Sequence, residues 1–448
     1  MSAQTGGGVV EIAERVIELV GDRAEAQVSV DGTEHALTRF ANSFIHQNVG
    51  ERGLNLILKL AVNDRVAFAT SSRSDQAGLA TLVEETIHAA RLRPTDKDWP
   101  GLAQPVEAPA SARFDQDTAE ASPDTRAGQV AAFIEAGDGL LGAGYFDTQG
   151  GPTAFANSAG QRLVGFSSRA TLDGIHQTET SAGSAHSTSA NMQDINGALL
   201  GSIAAGKARD SVAPSDVEPG EYEVILSPEC AATMMFFLAA YGWNAKAHLE
   251  GQSFVTLGDQ QFDPAVTIED DYDDPLATGM PFDADGTPKQ RVTMVGAGVS
   301  SSFAHDRRTA VRAGADSTGH AIAGGDAFGA FPTNMHLRGG TESVADMIAS
   351  VKRGLLVTTF NYCRILDPRT QVVTGLTRNG TFLIEGGEIS GALSNLRFTQ
   401  SFVEALSPGR ILGLGNDARM ADSEAGPGMT SAPSLHLAAW NFTGGAHG

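Results

Sequence analysis

The stretch Ser227-Pro-Glu-Cys-Ala-Ala-Thr-Met-Met-Phe-Phe-Leu-Ala-Ala-Tyr-Gly242 is the one helical pattern in the second half of the chain. Ser227 is a favourable N-cap residue and Pro228 suits the first helical position, so the helix is predicted to begin there. Gly242 is a natural left-handed terminator, which predicts where the helix ends. Because the residues 234–238 make the helix apolar on most sides, we expect it to be buried.

Short runs rich in β-branched and aromatic residues surround this helix. Glycine or Asn-Gly turns separate these runs, a pattern that is typical of strands. The predicted strands are Tyr222–Leu226, Gly354–Thr359, Gln371–Thr374, Thr381–Ile384 and Leu393–Phe398. The second half is therefore predicted to be mostly β, with one buried helix.

The first half alternates between helical and strand periodicity. Helices are predicted at Val9–Val20, Ser74–Leu92, Thr125–Ala136 and Ile195–Arg209. Strands are predicted at Ala26–Val30, Ala36–Phe40, Phe44–Val49, Leu54–Leu60, Val66–Thr70, Tyr145–Thr148, Ala154–Asn157 and Leu163–Leu172, with turns at Asp31-Gly32 and Asn63-Asp64. The proline-rich stretch Arg93–Ala110 is predicted to be an extended connection.

The polar, proline-containing stretch Asp210–Gly220 is the predicted domain boundary. At 448 residues the chain exceeds what one hydrophobic core usually fills. We therefore predict an α+β, two-lobed fold, with an N-terminal α+β domain over residues 1–215 and a β-rich C-terminal domain over residues 216–448.

Composition excludes several classes of protein. Asp and Glu number 53 against 31 Lys and Arg, and the resulting net charge of −22 repels phosphate backbones, so no nucleic-acid partner is expected. No window approaches the ~18 consecutive apolar residues of a membrane helix. The N-terminal residues 1–8 lack the basic start and apolar run of a secretory signal, and only two cysteines occur. We therefore expect a cytoplasmic location and no membrane association.

No metal-binding motif is present in the sequence. A catalytic zinc needs about three His, Cys or carboxylate ligands, and helical zinc motifs supply two histidines from one helix. No two of the eleven histidines lie within five residues of each other. The acidic residues Asp270, Asp271, Asp273 and Asp274 do not match a calcium-binding loop, and we interpret them as a solvated acidic turn.

Several collinear segments of the chain resemble the TldD/TldE (PmbA, "modulator of gyrase") family. These segments are Asn42–Asn48, Thr267–Asp271, Pro281–Gly286, Ser317–His320, Leu366–Thr370, Thr374–Thr377, Gly380–Ile389 and Gly413–Asp417. The resemblance covers most of the chain and is weak between Arg93 and Val212. It implies that the C-terminal domain is metallopeptidase-like.

The resemblance also implies a heterodimer, in which the TldD subunit carries a His-Glu-x-x-x-His zinc helix and a further Cys ligand. Here Phe236 and Tyr241 occupy the two His positions, and Phe237 occupies the Glu position. The corresponding C-terminal segment, Asn416–Pro433, contains no Cys. No catalytic residue, metal ligand or cofactor is therefore expected in this chain, and the zinc is expected in a TldD-like partner.

The function implied is that of a TldE-type, non-catalytic subunit of a zinc peptidase that processes or degrades small unfolded peptides. Phe236, Phe237 and Tyr241 are candidate residues for the wall of a peptide cleft, with core packing as their alternative role. Two other functions stay open. One is an independent hydrolase that uses His305 with Asp306, or the Cys363 thiol, and the other is a non-enzymatic modulator of gyrase or of a toxin–antitoxin system.

Overall fold

The computed structural model describes residues 6–107 and 113–445. Residues 1–5 lie outside this part of the chain. So do residues 108–110, which end the predicted connection. In the described residues 93–107 the connection contains no helix or strand, as predicted.

In its described residues, the first half combines five α-helices with six strands. The helices are α1 (Gly6–Val20), α2 (Gln76–Leu92), α3 (Gln116–Ala119), α4 (Pro123–Glu135) and α5 (Gly197–Asp210). The strands are β1 (Glu25–Ala41), β2 (Phe44–Val62), β3 (Arg65–Ser71), β4 (Leu141–Asn157), β5 (Arg162–Gln177) and β6 (Ala182–Ser189). The strands form one antiparallel sheet in the order β3-β2-β1-β4-β5-β6.

The second half contains short helices and two further sheets. The helices are α6 (Pro228–Leu238), α7 (Ala245–Leu249), α8 (Arg307–Ala313), α9 (Val344–Ser350) and α10 (Phe402–Ala405). The strands are β7 (Gly220–Leu226), β8 (Ile268–Asp270), β9 (Val292–Gly296), β10 (Val299–Ser300), β11 (Met335–Leu337), β12 (Arg353–Val357), β13 (Phe360–Asp367), β14 (Val372–Thr377), β15 (Thr381–Glu385), β16 (Glu388–Ala392), β17 (Leu396–Ser401), β18 (Ile411–Leu414), β19 (Arg419–Ala421), β20 (Thr430–Ala432) and β21 (Leu435–Gly445).

The two sheets of the second half enclose α6. One has the order β10-β9-β8-β11-β20-β19, and the other has the order β13-β14-β17-β21-β7-β12-β15-β16 with β18 added to β21. The largest hydrophobic core consists of residues from both sheets together with α6. The α+β prediction is confirmed. The boundary between residues 215 and 216 stays a prediction, although the strands of the first sheet end at Ser189 and those of the other two begin at Gly220.

Helix α6 begins where the sequence predicts and ends differently. Ser227 lies at the N-cap position without a side-chain capping hydrogen bond, and Pro228 is the first helical residue. The chain then continues as a π-helical turn over Ala239–Trp243. Gly242 lies inside this turn and lacks the positive φ of a left-handed terminator, so that predicted role is wrong. Glycine suits this position for a steric reason instead, because a Cβ at Gly242 would lie 2.1 Å from the ring of Phe254.

Strands of the first half are longer than local periodicity predicts. The predicted turn at Asp31-Gly32 is wrong, because β1 continues through both residues. The Asp31 carboxylate accepts a 2.8 Å hydrogen bond from Thr153 on the neighbouring strand, which satisfies a polar group in mid-strand. The turn at Asn63-Asp64 is confirmed, and both residues have the positive φ (49° and 59°) of a tight two-residue hairpin.

Within the described residues, no helix is both long enough and apolar enough to cross a lipid bilayer.

Candidate functional site

The three helix positions singled out in the sequence lie in apolar surroundings. The ring of Phe237, a side chain that is 6% exposed, has its centroid 5.4 Å from that of Phe236 and 6.0 Å from that of Phe402. Phe236 and Tyr241 are partly buried and pack against the same core. None of these side chains offers the nitrogen, sulfur or carboxylate donor that zinc requires. Their role as the wall of a peptide cleft stays a prediction.

The π-helical turn affects how the positions of Phe236 and Tyr241 face one another. In a regular α-helix, residues five positions apart point about 140° away from each other. The i→i+5 hydrogen bonding of a π turn brings such residues closer to one face. Because the turn Ala239–Trp243 starts between these two positions, the backbone favours the spacing of a His-x-x-x-x-His ligand pair. The side chains here are the wrong kind for ligation.

A cavity of about 420 Å³ lies beside the N-terminal half of α6. Glu229 and Thr233, one helical turn apart, line it from the helix. The first sheet and α5 form one wall, and the second half of the chain forms the other. The remaining lining residues are Asp173, Ile175, Ser184, Ala185, His186, Lys207, Thr359, Phe360, Asn361, Arg378, Asn379, Asp422, Ser423 and Glu424.

Charges next to α6 are partly compensated. Arg419 donates hydrogen bonds of 2.8 and 3.0 Å to the two carboxylate oxygens of Glu229. Burial opposes ionisation, yet Arg419 and Lys207 together hold the pKa of Glu229 below its usual range. Burial lowers the pKa of Lys207, whose ammonium donates a 3.0 Å hydrogen bond to the Ser184 carbonyl. These contacts make an ion-paired wall around the start of α6.

A second group in the same cavity was not identified from the sequence. Asp173 and His186 face each other across β5 and β6, and Asp422 follows β19. One donor atom from each residue lies within 4.8 Å of the other two. Burial raises the pKa values of both Asp173 and Asp422, although His186 lowers both. Glu229 raises both pKa values further, and Asp422 also raises that of Asp173. No sequence signal joins these residues, because they come from three separate strands and loops.

In the independent-hydrolase alternative, Asp306 has a capping role and the Cys363 thiol is buried. The Asp306 carboxylate caps α8 by accepting hydrogen bonds from the backbone N–H (2.6 Å) and hydroxyl (2.7 Å) of Thr309. Burial lowers the pKa of the neighbouring His305. Burial raises the pKa of the Cys363 thiol far above its usual value, and the nearby Glu424 adds to the effect. A buried thiol of this kind is a poor nucleophile.

The acidic stretch at the end of β8 is not a solvated turn throughout, so that interpretation is wrong for Asp270. This carboxylate is fully buried, lies 3.0 Å from His320 Nε2, and accepts a 2.7 Å hydrogen bond from the Asn334 N–H. Arg338 pairs with the carboxylate of Asp274 nearby. The cluster is a buried, paired network, and such networks commonly have a structural role.

Comparison with known proteins relates the second half of the chain to a peptidase family. Residues 219–444 match the family model described as the PmbA/TldA metallopeptidase C-terminal domain. A protein of Methanothermobacter thermautotrophicus described as a metalloprotease is 25% identical over 245 residues. That match covers 52% of this chain and 51% of the archaeal protein, so the chain spans about half the length of this relative.

Solved structures share the fold over nearly the whole chain. TldE from Thermococcus kodakarensis is 17% identical with a TM-score of 0.85, covering 98% of this chain and 99% of that one. A protein of Thermotoga maritima described as a modulator of DNA gyrase is 19% identical with a TM-score of 0.84, covering 97% and 99%. At these identities the likeness concerns the fold.

Proposed function

Because the chain belongs to the PmbA/TldD metallopeptidase family, we propose that it is the non-catalytic, TldE-like subunit of a two-subunit zinc peptidase. The observation that carries the proposal is the chemistry of α6. By the resemblance, Phe236, Phe237 and Tyr241 correspond to the positions of the family's His-Glu-x-x-x-His motif, and Phe237 is packed into the core. These three side chains supply neither the zinc ligands nor the general base of that motif.

The catalytic zinc is assigned to a TldD-like partner that carries the complete motif and the cysteine ligand. In this proposal the present chain shapes the substrate cleft and excludes folded proteins. The partner performs the hydrolysis.

The proposed substrates are small unfolded peptides, which are commonly bound by strand addition. Strand β3 pairs with residues 56–62 of β2, and residues 44–55 pair only with β1 in the described structure. That leaves a long free edge of the first sheet, with Phe44 and Ile45 exposed at its start. Such an edge offers main-chain hydrogen bonds to an extended chain, with little dependence on its side chains.

The proposed compartment is the cytoplasm. Both cysteines, Cys230 and Cys363, are free and buried, so nothing in the described structure calls for an oxidising environment. The net charge of −22 opposes binding to nucleic acid. The proposed partners are accordingly the TldD-like subunit and the peptide.

Reconstitution with a TldD homologue tests the proposal. Cleavage of an unstructured peptide and of a stable folded domain is compared for this chain alone, for the homologue alone and for the mixture. We expect no cleavage by this chain, full peptide cleavage only by the mixture, and little cleavage of the folded domain. Full-rate cleavage by the homologue alone contradicts the subunit role. Binding to gyrase without peptidase activity in the mixture favours the modulator alternative.

A further inference from the structure

Three donor atoms in the cavity have the spacing of ligands around one ion. One donor each from Asp173, His186 and Asp422 lies within 4.8 Å of the other two. Donors that share an ion lie roughly 3 to 5 Å apart, because each is about 2.0–2.6 Å from it. Among the described residues, no ion pair as short as 4.0 Å joins the histidine to either carboxylate. The gap therefore exceeds that of a direct hydrogen bond.

The imidazole of His186 is held in an orientation that leaves one nitrogen free. Its Nε2 lies 2.9 Å from the Thr188 hydroxyl, which in turn lies 3.0 Å from the Thr171 hydroxyl. Within residues 6–107 and 113–445, Nδ1 has no hydrogen-bond partner although the residue is only 9% exposed. With the proton on Nε2, the ring donates to Thr188 and presents the Nδ1 lone pair. A polar second contact of this kind orients metal-binding histidines.

Among the described residues, the two carboxylates have no direct ion-pair partner. In the part of the chain that the structure describes, neither Asp173 nor Asp422 forms an ion pair, and the one hydrogen bond to Asp422 comes from the Ser423 N–H at 2.9 Å. Lys207 donates to a carbonyl and Arg419 pairs with Glu229, while Arg169 forms no ion pair with Asp422 and only lowers the pKa of its carboxyl. Two partly buried carboxylates without a direct ion-pair partner are stabilised when a cation binds between them.

We propose that Asp173, His186 and Asp422 bind one divalent first-row metal ion, Zn²⁺ or Mn²⁺. A single imidazole with two carboxylates suits these ions, whereas a site for Ca²⁺ or Mg²⁺ is usually built from oxygen alone. The ion would join β5 and β6 of the first sheet to the segment after β19. Three protein ligands leave positions open toward the cavity for water or for a carboxylate or carbonyl oxygen of a ligand.

This site goes beyond the proposed function. It lies outside the zinc-helix positions of α6, on which the expectation of a metal-free chain depends, and it uses residues from both halves of the chain. The metal would stabilise the junction of the two halves, and it would do so in the chain without its partner.

The test uses the full-length chain after treatment with a chelator, without a partner. Zn²⁺ and Mn²⁺ are titrated by calorimetry and, for Mn²⁺, by electron paramagnetic resonance, with Ca²⁺ as a comparison. We expect one equivalent to bind, a higher unfolding temperature in its presence, and at least tenfold weaker binding by H186A and D422N. The control variants H88Q and D138N remove an exposed histidine and a 96%-exposed carboxylate and should bind like the wild type.

Thermal unfolding of the metal-free variants separates a metal site from a merely structural one. D422N removes a partly buried charge that has no ion-pair partner in the described structure, so the metal-free variant should unfold at no lower temperature than the metal-free wild type. Three results would each overturn the site: no stoichiometric binding to the wild type, equal binding by the ligand variants, or loss of stability in metal-free D422N without any effect of metal on the wild type. None of these readouts depends on peptidase activity.

Discussion

Replacing Phe237 with Glu distinguishes a core position from a solvated cleft wall. The substitution restores the acidic residue type of the zinc motif at a side chain that is 6% exposed and surrounded by aromatic rings. Loss of a buried Phe side chain costs about 3–5 kcal/mol. The isosteric control F237Q shares that cost but cannot ionise.

The difference between the two variants depends on pH. A Glu in this environment keeps its proton in the folded state, so its folded pKa lies above the unfolded value of about 4.3. The unfolded chain then binds fewer protons than the folded one, and the free energy of unfolding falls as pH rises. The slope is about 1.4 kcal/mol per pH unit, so F237E should lose about 2.7 kcal/mol relative to F237Q between pH 5 and pH 7, provided that the folded pKa stays above 7.

Urea denaturation followed by tryptophan fluorescence measures this difference. Trp243 and Trp440 are both fully buried in the same core and report its unfolding. The half-buried neighbour Phe236 provides a comparison. The free energy of unfolding of F236E should depend less on pH, because water reaches the carboxylate at that position. If F237E and F237Q lose stability equally at pH 5 and pH 7, position 237 is solvated, and the packing of α6 described above is incorrect.

Three further outcomes follow from the structure. D270N should lower the free energy of unfolding, measured by chemical denaturation, by about 3 kcal/mol, because it leaves a buried histidine poorly paired. Despite its burial, the pKa of Asp270 is held far below its usual value. Its contribution to the stability of the wild type is therefore present above about pH 4 and is lost as pH falls below it. G242A should destabilise the protein by about 1–3 kcal/mol, since a Cβ there would clash with Phe254, and an unchanged thermal midpoint would contradict this. Cys230 and Cys363 should react with a thiol reagent only as fast as the native protein opens, because burial raises both pKa values.

Local patterns in the sequence were enough to predict the five longest helices of the described residues, α1, α2, α4, α5 and α6. The four short helices α7–α10 were not predicted, so the expectation of a single helix in the second half is wrong. The helices α1, α2, α4 and α5 lie within a few residues of the predicted ranges, because amphipathic spacing and capping residues are local signals. The long strand β1 was divided at Asp31-Gly32, since those residues normally form turns. A hydrogen bond from Thr153, far away in sequence, satisfies Asp31 instead, and local reasoning has no access to such a partner.

The candidate site shows the same limit. The lack of zinc-ligand side chains at positions 236, 237 and 241 is a local property that can be read from the sequence. The grouping of Asp173, His186 and Asp422 depends on strand register and on contact between β6 and β19. Each residue alone is an isolated polar side chain in the sequence. Only the tertiary structure brings the three together.

In the proposed complex, hydrolysis takes place at the partner's zinc and not in this chain. The most direct measurement is peptide cleavage by the reconstituted complex after the first histidine of the partner's zinc motif has been replaced with alanine. We expect the complex still to assemble and cleavage to fall to the background rate. Cleavage at the rate of the unmodified complex would place a working active site in this chain and contradict its non-catalytic role.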